Sequence, residues 1–127
     1  MPLPVNAQVS AAPHFATNLQ QAQAFFEMQD LPSSAERMNR LKAELREMKT
    51  MLAWSPASGR TARFLNGRSV QTRLKAASVM QLAVDAGLPH LREYVLAQHL
   101  VLYAHSDSEV VLLALKHHRQ LAYAALQ

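Results

Sequence analysis

Close to the C-terminus four polar residues stand in a row, Lys116-His117-His118-Arg119, with Tyr123 four positions further on. Histidine titrates near neutral pH and can take or give a proton. Lysine and arginine can hold a phosphate or steady a charged phosphorane. A tyrosine nearby can orient a sugar or stack on a base. Together these groups could cleave RNA without a metal: one takes the 2′-OH proton, a cation steadies the phosphate, another protonates the leaving oxygen. The plain alternative is a strand that ends in solvent, because a short motif without its structural context matches often by chance.

Six histidines invite a zinc site, but the chain has no cysteine and no HExxH, the patterns zinc usually takes. On a strand, successive side chains point to opposite faces. His117 then shares a face with Leu115, and Lys116 with His118, so the two imidazoles do not chelate one ion together. No metal and no cofactor is expected.

The element that must hold the cluster is the apolar run Val110–Leu115 just before it. A second run, Leu100–Ala104, precedes the polar turn His105–Glu109, and Leu91–Leu96 is a further strand candidate. Two apolar runs around a short polar turn predict a β-hairpin within residues 92–119. Both faces of the last run are apolar, which predicts a central strand covered on both sides, or nearly so.

Ahead of the sheet the period is helical. Thr17 with Gln20, and Ser33 with Glu36, have capping-box spacing. Leu19, Ala22 and Phe26 share one helical face. Met38, Leu41, Leu45, Met48 and Leu52 form a continuous stripe on the next helix. Asp30-Leu31-Pro32 predicts the stop between them, and so short a connector predicts antiparallel neighbours. Trp54 reads as core. A weak alternation over 5–9 predicts a short edge strand, Ser55–Arg60 a turn, Ser69–Ala86 a third helix, and Gln120–Leu126 a short tail or helix. Arg63, Arg68, Arg73 and Lys75 read as a solvated charged face of the segment over about 61–90, with contact to a target as the alternative.

With 127 residues, 50% of them hydrophobic and 17% charged, one packed domain over 1–127 is expected. The absent cysteine excludes a disulfide scaffold, a zinc ribbon and thiol catalysis. Residues 1–13 hold no Lys or Arg and no sustained apolar run, so no secretory leader is expected. No window is long and apolar enough for a membrane span. A cytoplasmic address and no membrane partner are the resulting expectations. The net charge of +4 attracts polyanions, which says something about association and nothing about specificity.

Leu91-Arg92-Glu93-Tyr94-Val95, Leu100-Val101-Leu102-Tyr103, and Val110 through Arg119 resemble the RelE/ParE family of toxins from bacterial type II toxin–antitoxin systems. The resemblance extends to the helical hairpin over 18–53 and to Pro56-Ala57-Ser58-Gly59-Arg60, similar to the family's P-x-x-G-R turn. It implies an α+β fold: an N-terminal helical hairpin packed on a small, mostly antiparallel sheet. Here an extra helical segment at about 61–90 precedes the C-terminal hairpin.

The resemblance also implies a growth-inhibitory toxin of bacterial stress response, neutralised by a cognate antitoxin. Two targets divide such a family, DNA gyrase for ParE-like members and ribosome-bound mRNA for RelE-like ones. Lys116, His117, Arg119 and Tyr123 are the candidate catalytic residues, and Arg60, Arg92 and His118 the candidate target-binding residues. His117 stands where an arginine is expected of a nuclease. Arg92 is followed by Glu93, and residues 100–104 carry no cation. These departures favour ParE-like inhibition of gyrase by binding, with RelE-like RNA cleavage as the alternative and a non-toxic basic interaction module as the third.

Overall fold

The structure, a computed structural model, describes residues 6–62, 81, 83–84 and 87–119. Two helices lie on one face of a five-stranded mixed sheet, an α+β arrangement. Helix α1 spans Pro13–Gln29 and α2 spans Leu31–Trp54. Each has a proline in its first turn, where the missing N–H costs nothing and the fixed φ already suits a helix. Both helices therefore begin before the predicted capping boxes. Thr17 lies inside α1, its hydroxyl donating to the Pro13 carbonyl. The Ser33 and Ser34 hydroxyls donate to the carbonyls of Asp30 and Leu31. Asp30 alone separates the helices, in an extended conformation (φ −162°, ψ 95°). They fold back on one another there, with Arg37 of α2 bonded to Gln29 and seated 4.2 Å over the Phe26 ring.

The strands are β1 (Gln8–Ala11), β2 (Arg60–Thr61), β3 (His90–Val95), β4 (His99–His105) and β5 (Glu109–His117), in the order β1-β5-β4-β3-β2. The predicted hairpin is thus the β4–β5 part of an antiparallel meander. The early edge strand expected over 5–9 lies over 8–11 among the described residues, with 6 and 7 outside it, and pairs with β5 in parallel. The strand covered along its whole length is β4. The last strand, β5, is buried more on one face than the other.

One irregularity decides which side chains of β5 reach the helices. Leu102 pairs with Ala114, but Tyr103 pairs with Leu112, so Leu113 is an extra residue in β5. Such a bulge shifts the alternation of the strand beyond it. Val110 and Leu112 face the helices before the bulge, and Leu115 faces them after it. The helix-side core joins these to Val101, Tyr103, Phe15, Phe26 and the predicted α2 stripe of Met38, Leu41, Leu45, Met48 and Leu52, all buried. The opposite face packs Leu100, Leu102, Ala104 and Ala114 against Leu91, Leu88, Ala62 and Ala83. Trp54 is 56% exposed, not core: Leu52 is the last buried residue of the stripe, and Trp54 lies two positions round the helix from it.

The predicted helix over 69–86 lies outside the described residues except Gln81, Ala83 and Val84, which are helical. Arg63, Arg68, Arg73, Lys75, Tyr123 and the tail over 120–126 lie outside them as well. Among the described residues no helix is long and apolar enough to cross a membrane.

Candidate functional site

The end of β5 is held from two sides. On one side β4 pairs with it down to His99, which lies opposite His117. On the other, β1 stops at Ala11, opposite Leu112, and α1 takes over. Asn18, 4% exposed, accepts the Leu115 N–H on its Oδ1 at 3.0 Å. A buried side chain thereby satisfies a strand donor that would otherwise be costly to bury.

A cleft of about 610 Å³ opens between this strand end and α1. Lys116, His117, His118 and Arg119 line it, together with His99, Gln98, Arg37 and an α1 wall that includes Gln21, Phe25 and Gln29. The His99 ring meets Phe26 edge-on at 6.0 Å and His117 edge-on at 5.3 Å, and the His117 and His118 rings lie 4.4 Å apart. Burial, then the neighbouring His117, His118 and Arg37, push the His99 pKa from 6.5 down to about 4. The His117 pKa is also lowered, by burial first and then by His118, Arg119, Arg37 and Lys116. Lys116 is lowered by burial, with Arg60 adding to the effect and Glu93 opposing it. Among the described residues no group of three or more His, Asp or Glu could hold a metal ion.

The hydrogen bonds fix which nitrogen carries each proton. His118 Nδ1 lies 2.9 Å from the Gln98 carbonyl oxygen. A carbonyl only accepts, so Nδ1 is the donor, and in the neutral ring Nε2 holds the lone pair. His117 is the reverse. Its Nδ1 accepts the Arg119 N–H at 3.2 Å, so its proton sits on Nε2. One cleft imidazole is thus oriented to take a proton and its neighbour to donate a hydrogen bond.

Arg60 and Arg92 are engaged elsewhere in the sheet. Arg92 donates from Nε to His105 Nε2 at 3.0 Å and from Nη1 to the Gly59 carbonyl at 3.2 Å. The His105 proton is therefore on Nδ1, given to the Ser106 carbonyl, and burial lowers its pKa. Arg60 lies 3.4 Å from the carboxylate of Glu93, itself 2% exposed. The turn between α2 and β2 is fastened by Tyr103, whose hydroxyl donates to the Pro56 carbonyl at 2.7 Å and accepts the Gly59 N–H at 2.9 Å. Glycine is required there: a Cβ on Gly59 would lie 2.5 Å from the Tyr103 hydroxyl and 2.6 Å from the Glu93 carbonyl oxygen.

Of the residues singled out from sequence, Lys116, His117, His118 and Arg119 come together at the cleft. Arg60 and Arg92 tie β2, β3 and the Pro56–Gly59 turn to one another. The sequence reading missed His99, Arg37, Asn18 and the α1 wall. A signal existed for the wall, since Gln21, Phe25 and Gln29 recur every four residues. None existed for His99, which depends on the β4–β5 register. No protein-family model matches this chain, and no curated protein matches it.

Proposed function

We propose that this chain is a growth-inhibitory toxin of the RelE/ParE type, restrained by a cognate antitoxin, and that it acts by cleaving RNA without a metal. The observation that carries the mechanism is the His118 imidazole, turned by the Gln98 carbonyl so that Nε2 can accept a proton in a cleft lined by Arg37, Lys116 and Arg119. In this reading Nε2 takes the proton of a ribose 2′-OH. The 2′-oxygen bonds to phosphorus, the P–O5′ bond breaks, and the 5′-oxygen leaves with a proton from solvent. The cations offset the charge that gathers on the phosphorane, and the His117 Nε2–H donates to a phosphate oxygen. The target, ribosome-bound mRNA, is cytoplasmic.

A second reading, inhibition of DNA gyrase by binding, draws on one observation. His99 and His117 are both held towards the neutral form, and a neutral imidazole is a poor acid for a leaving oxygen. The same cleft then serves as a basic docking edge.

Expression without a partner is expected to arrest a bacterial host, and normal growth at high soluble expression would sink both toxin readings. In translation reactions, mapping of mRNA 5′ ends is expected to show cuts that disappear in His118→Ala and Arg119→Ala. Intact mRNA with loss of supercoiling activity would replace RNA cleavage by gyrase inhibition.

A further inference from the structure

The α1 wall of the cleft carries a polarity that can be worked out donor by donor. The Leu115 N–H can only donate, so the atom of Asn18 that meets it at 3.0 Å is the amide oxygen. The Asn18 Nδ2 is then the donor to Gln21, 3.1 Å away, and the atom it meets must be Gln21 Oε1. That leaves the two N–H groups of Gln21 Nε2 as the end of this side chain not taken up by Asn18. Gln29 is set the same way. The Arg37 guanidinium has no acceptor and bonds Gln29 Oε1 at 2.9 Å, so Gln29 also keeps its N–H end. Phe25 lies between the two glutamines at four-residue spacing, 47% exposed and lining the cleft. The wall is thus an aromatic face flanked by amide donors with their oxygens engaged.

Resting on the RNA reading of the cleft, we propose that this wall is a nucleobase subsite that selects bases carrying an oxygen at the pyrimidine C4 or purine C6, uracil and guanine, over those carrying an amine there, cytosine and adenine. A base stacked on Phe25 turns its edge towards Gln21 and Gln29. Stacking on an aromatic ring is indifferent to sequence, so the choice falls to the amides. A uracil O4 accepts from an N–H donor, whereas the cytosine N4 amine points a donor at a donor. Gln21 is the specificity-determining residue. Asn18 is its positioning residue, since it prevents the Gln21 amide from turning round to offer its oxygen.

The test is binding of two fluorescein-labelled hexanucleotides with 2′-O-methyl riboses, which cannot be cleaved through the 2′-oxygen. One is all uridine and the other all cytidine; a second pair compares inosine with adenosine. The native protein is expected to bind the uridine and inosine strands roughly tenfold more tightly than their amine counterparts, the scale of one hydrogen bond exchanged for a facing pair of donors. In Gln21→Met, a change at an exposed helical position, the ratio falls to about one. In Asn18→Asp the carboxylate still accepts the Leu115 N–H but now accepts from Gln21 as well, which turns the Gln21 oxygen towards the base, and the ratio falls to one or below. Equal binding of the paired strands by the native protein overturns this inference and leaves the RNA reading standing. A preference that survives Gln21→Met overturns the assignment to Gln21. Absence of binding to all four strands overturns the RNA reading and the subsite with it.

Discussion

Replacing His99 by leucine tests the electrostatics of the cleft most directly. His99 is 6% exposed. It faces Phe26 from α1, Arg37 from α2, and His117 and His118 from the end of β5. Every charged or titratable group acting on it disfavours a proton. Its folded pKa of about 4 lies below the unfolded 6.5, so the unfolded chain binds more protons between those values. Stability is then complete above pH 6.5, falls as the pH drops through this window, and levels off below about 4. At roughly 1.4 kcal/mol for each tenfold change in proton affinity, the loss due to His99 is about 3 kcal/mol. The native protein also carries the acid sensitivity of His105 and His117, whose pKa values are lowered in the same direction. The difference between native and His99→Leu proteins isolates His99, because His99 is not among the groups that lower the His117 pKa. Urea denaturation at pH 7, 6, 5 and 4 is expected to show the native protein losing about 3 kcal/mol more than the variant over this range. The His99 Cε1–H resonance, followed by NMR, is expected to titrate with a midpoint of about 4. A midpoint near 6.5, or equal pH slopes in the two proteins, would refute the reasoning.

Two further substitutions probe what holds the site in place. Tyr103→Phe removes the hydroxyl shared by the Pro56 carbonyl and the Gly59 N–H; stranding both partners costs about 2–4 kcal/mol, a fall in Tm on the order of 10 °C by circular dichroism. Asn18→Leu strands the buried Leu115 N–H at about 1–3 kcal/mol; hydrogen exchange at Leu115 is expected to quicken while the amides of β3 keep their protection, and unchanged exchange at Leu115 would contradict the role given to Asn18.

The α2 stripe was legible because five apolar residues at helical spacing need only one element to make sense of them, and all five are buried. The β4–β5 hairpin was legible for the same local reason. The helix starts were misread because Ser and Thr at capping-box spacing compete with a proline ahead of them, Pro13 four residues before Thr17 and Pro32 directly before Ser33, and proline in the first turn prevailed. The parallel pairing of β1 with β5 joins residues about a hundred positions apart, and no local pattern encodes it. Sequence alone also cannot reveal when a cation is consumed within the fold. Arg92 is bonded to His105 and Gly59, and Arg60 lies against Glu93. In the primary sequence both look as available as Arg119. The cluster at 116–119 was visible as a string of side chains. Its protonation pattern rests on a backbone carbonyl of residue 98 and a backbone N–H of residue 119, which no side-chain pattern announces.

The extra residue at Leu113 gives β5 two phases. Even-numbered residues face the helices before it and odd-numbered residues face them after it, as Val110, Leu112 and Leu115 show. Read straight through at a period of two from Val110, the strand would turn Lys116 towards the helices and His117 away from them, and an ammonium would stand where the His117 imidazole now meets His99. The identity of the cleft is therefore written partly in chain length. Excising Leu113 would bring the two halves of the strand into step while leaving each on its present face, whereas suppressing the bulge with Leu113 retained would exchange His117 for Lys116. A single irregular position thus decides whether an imidazole or an ammonium stands against His99, with no change in the side chains beyond it.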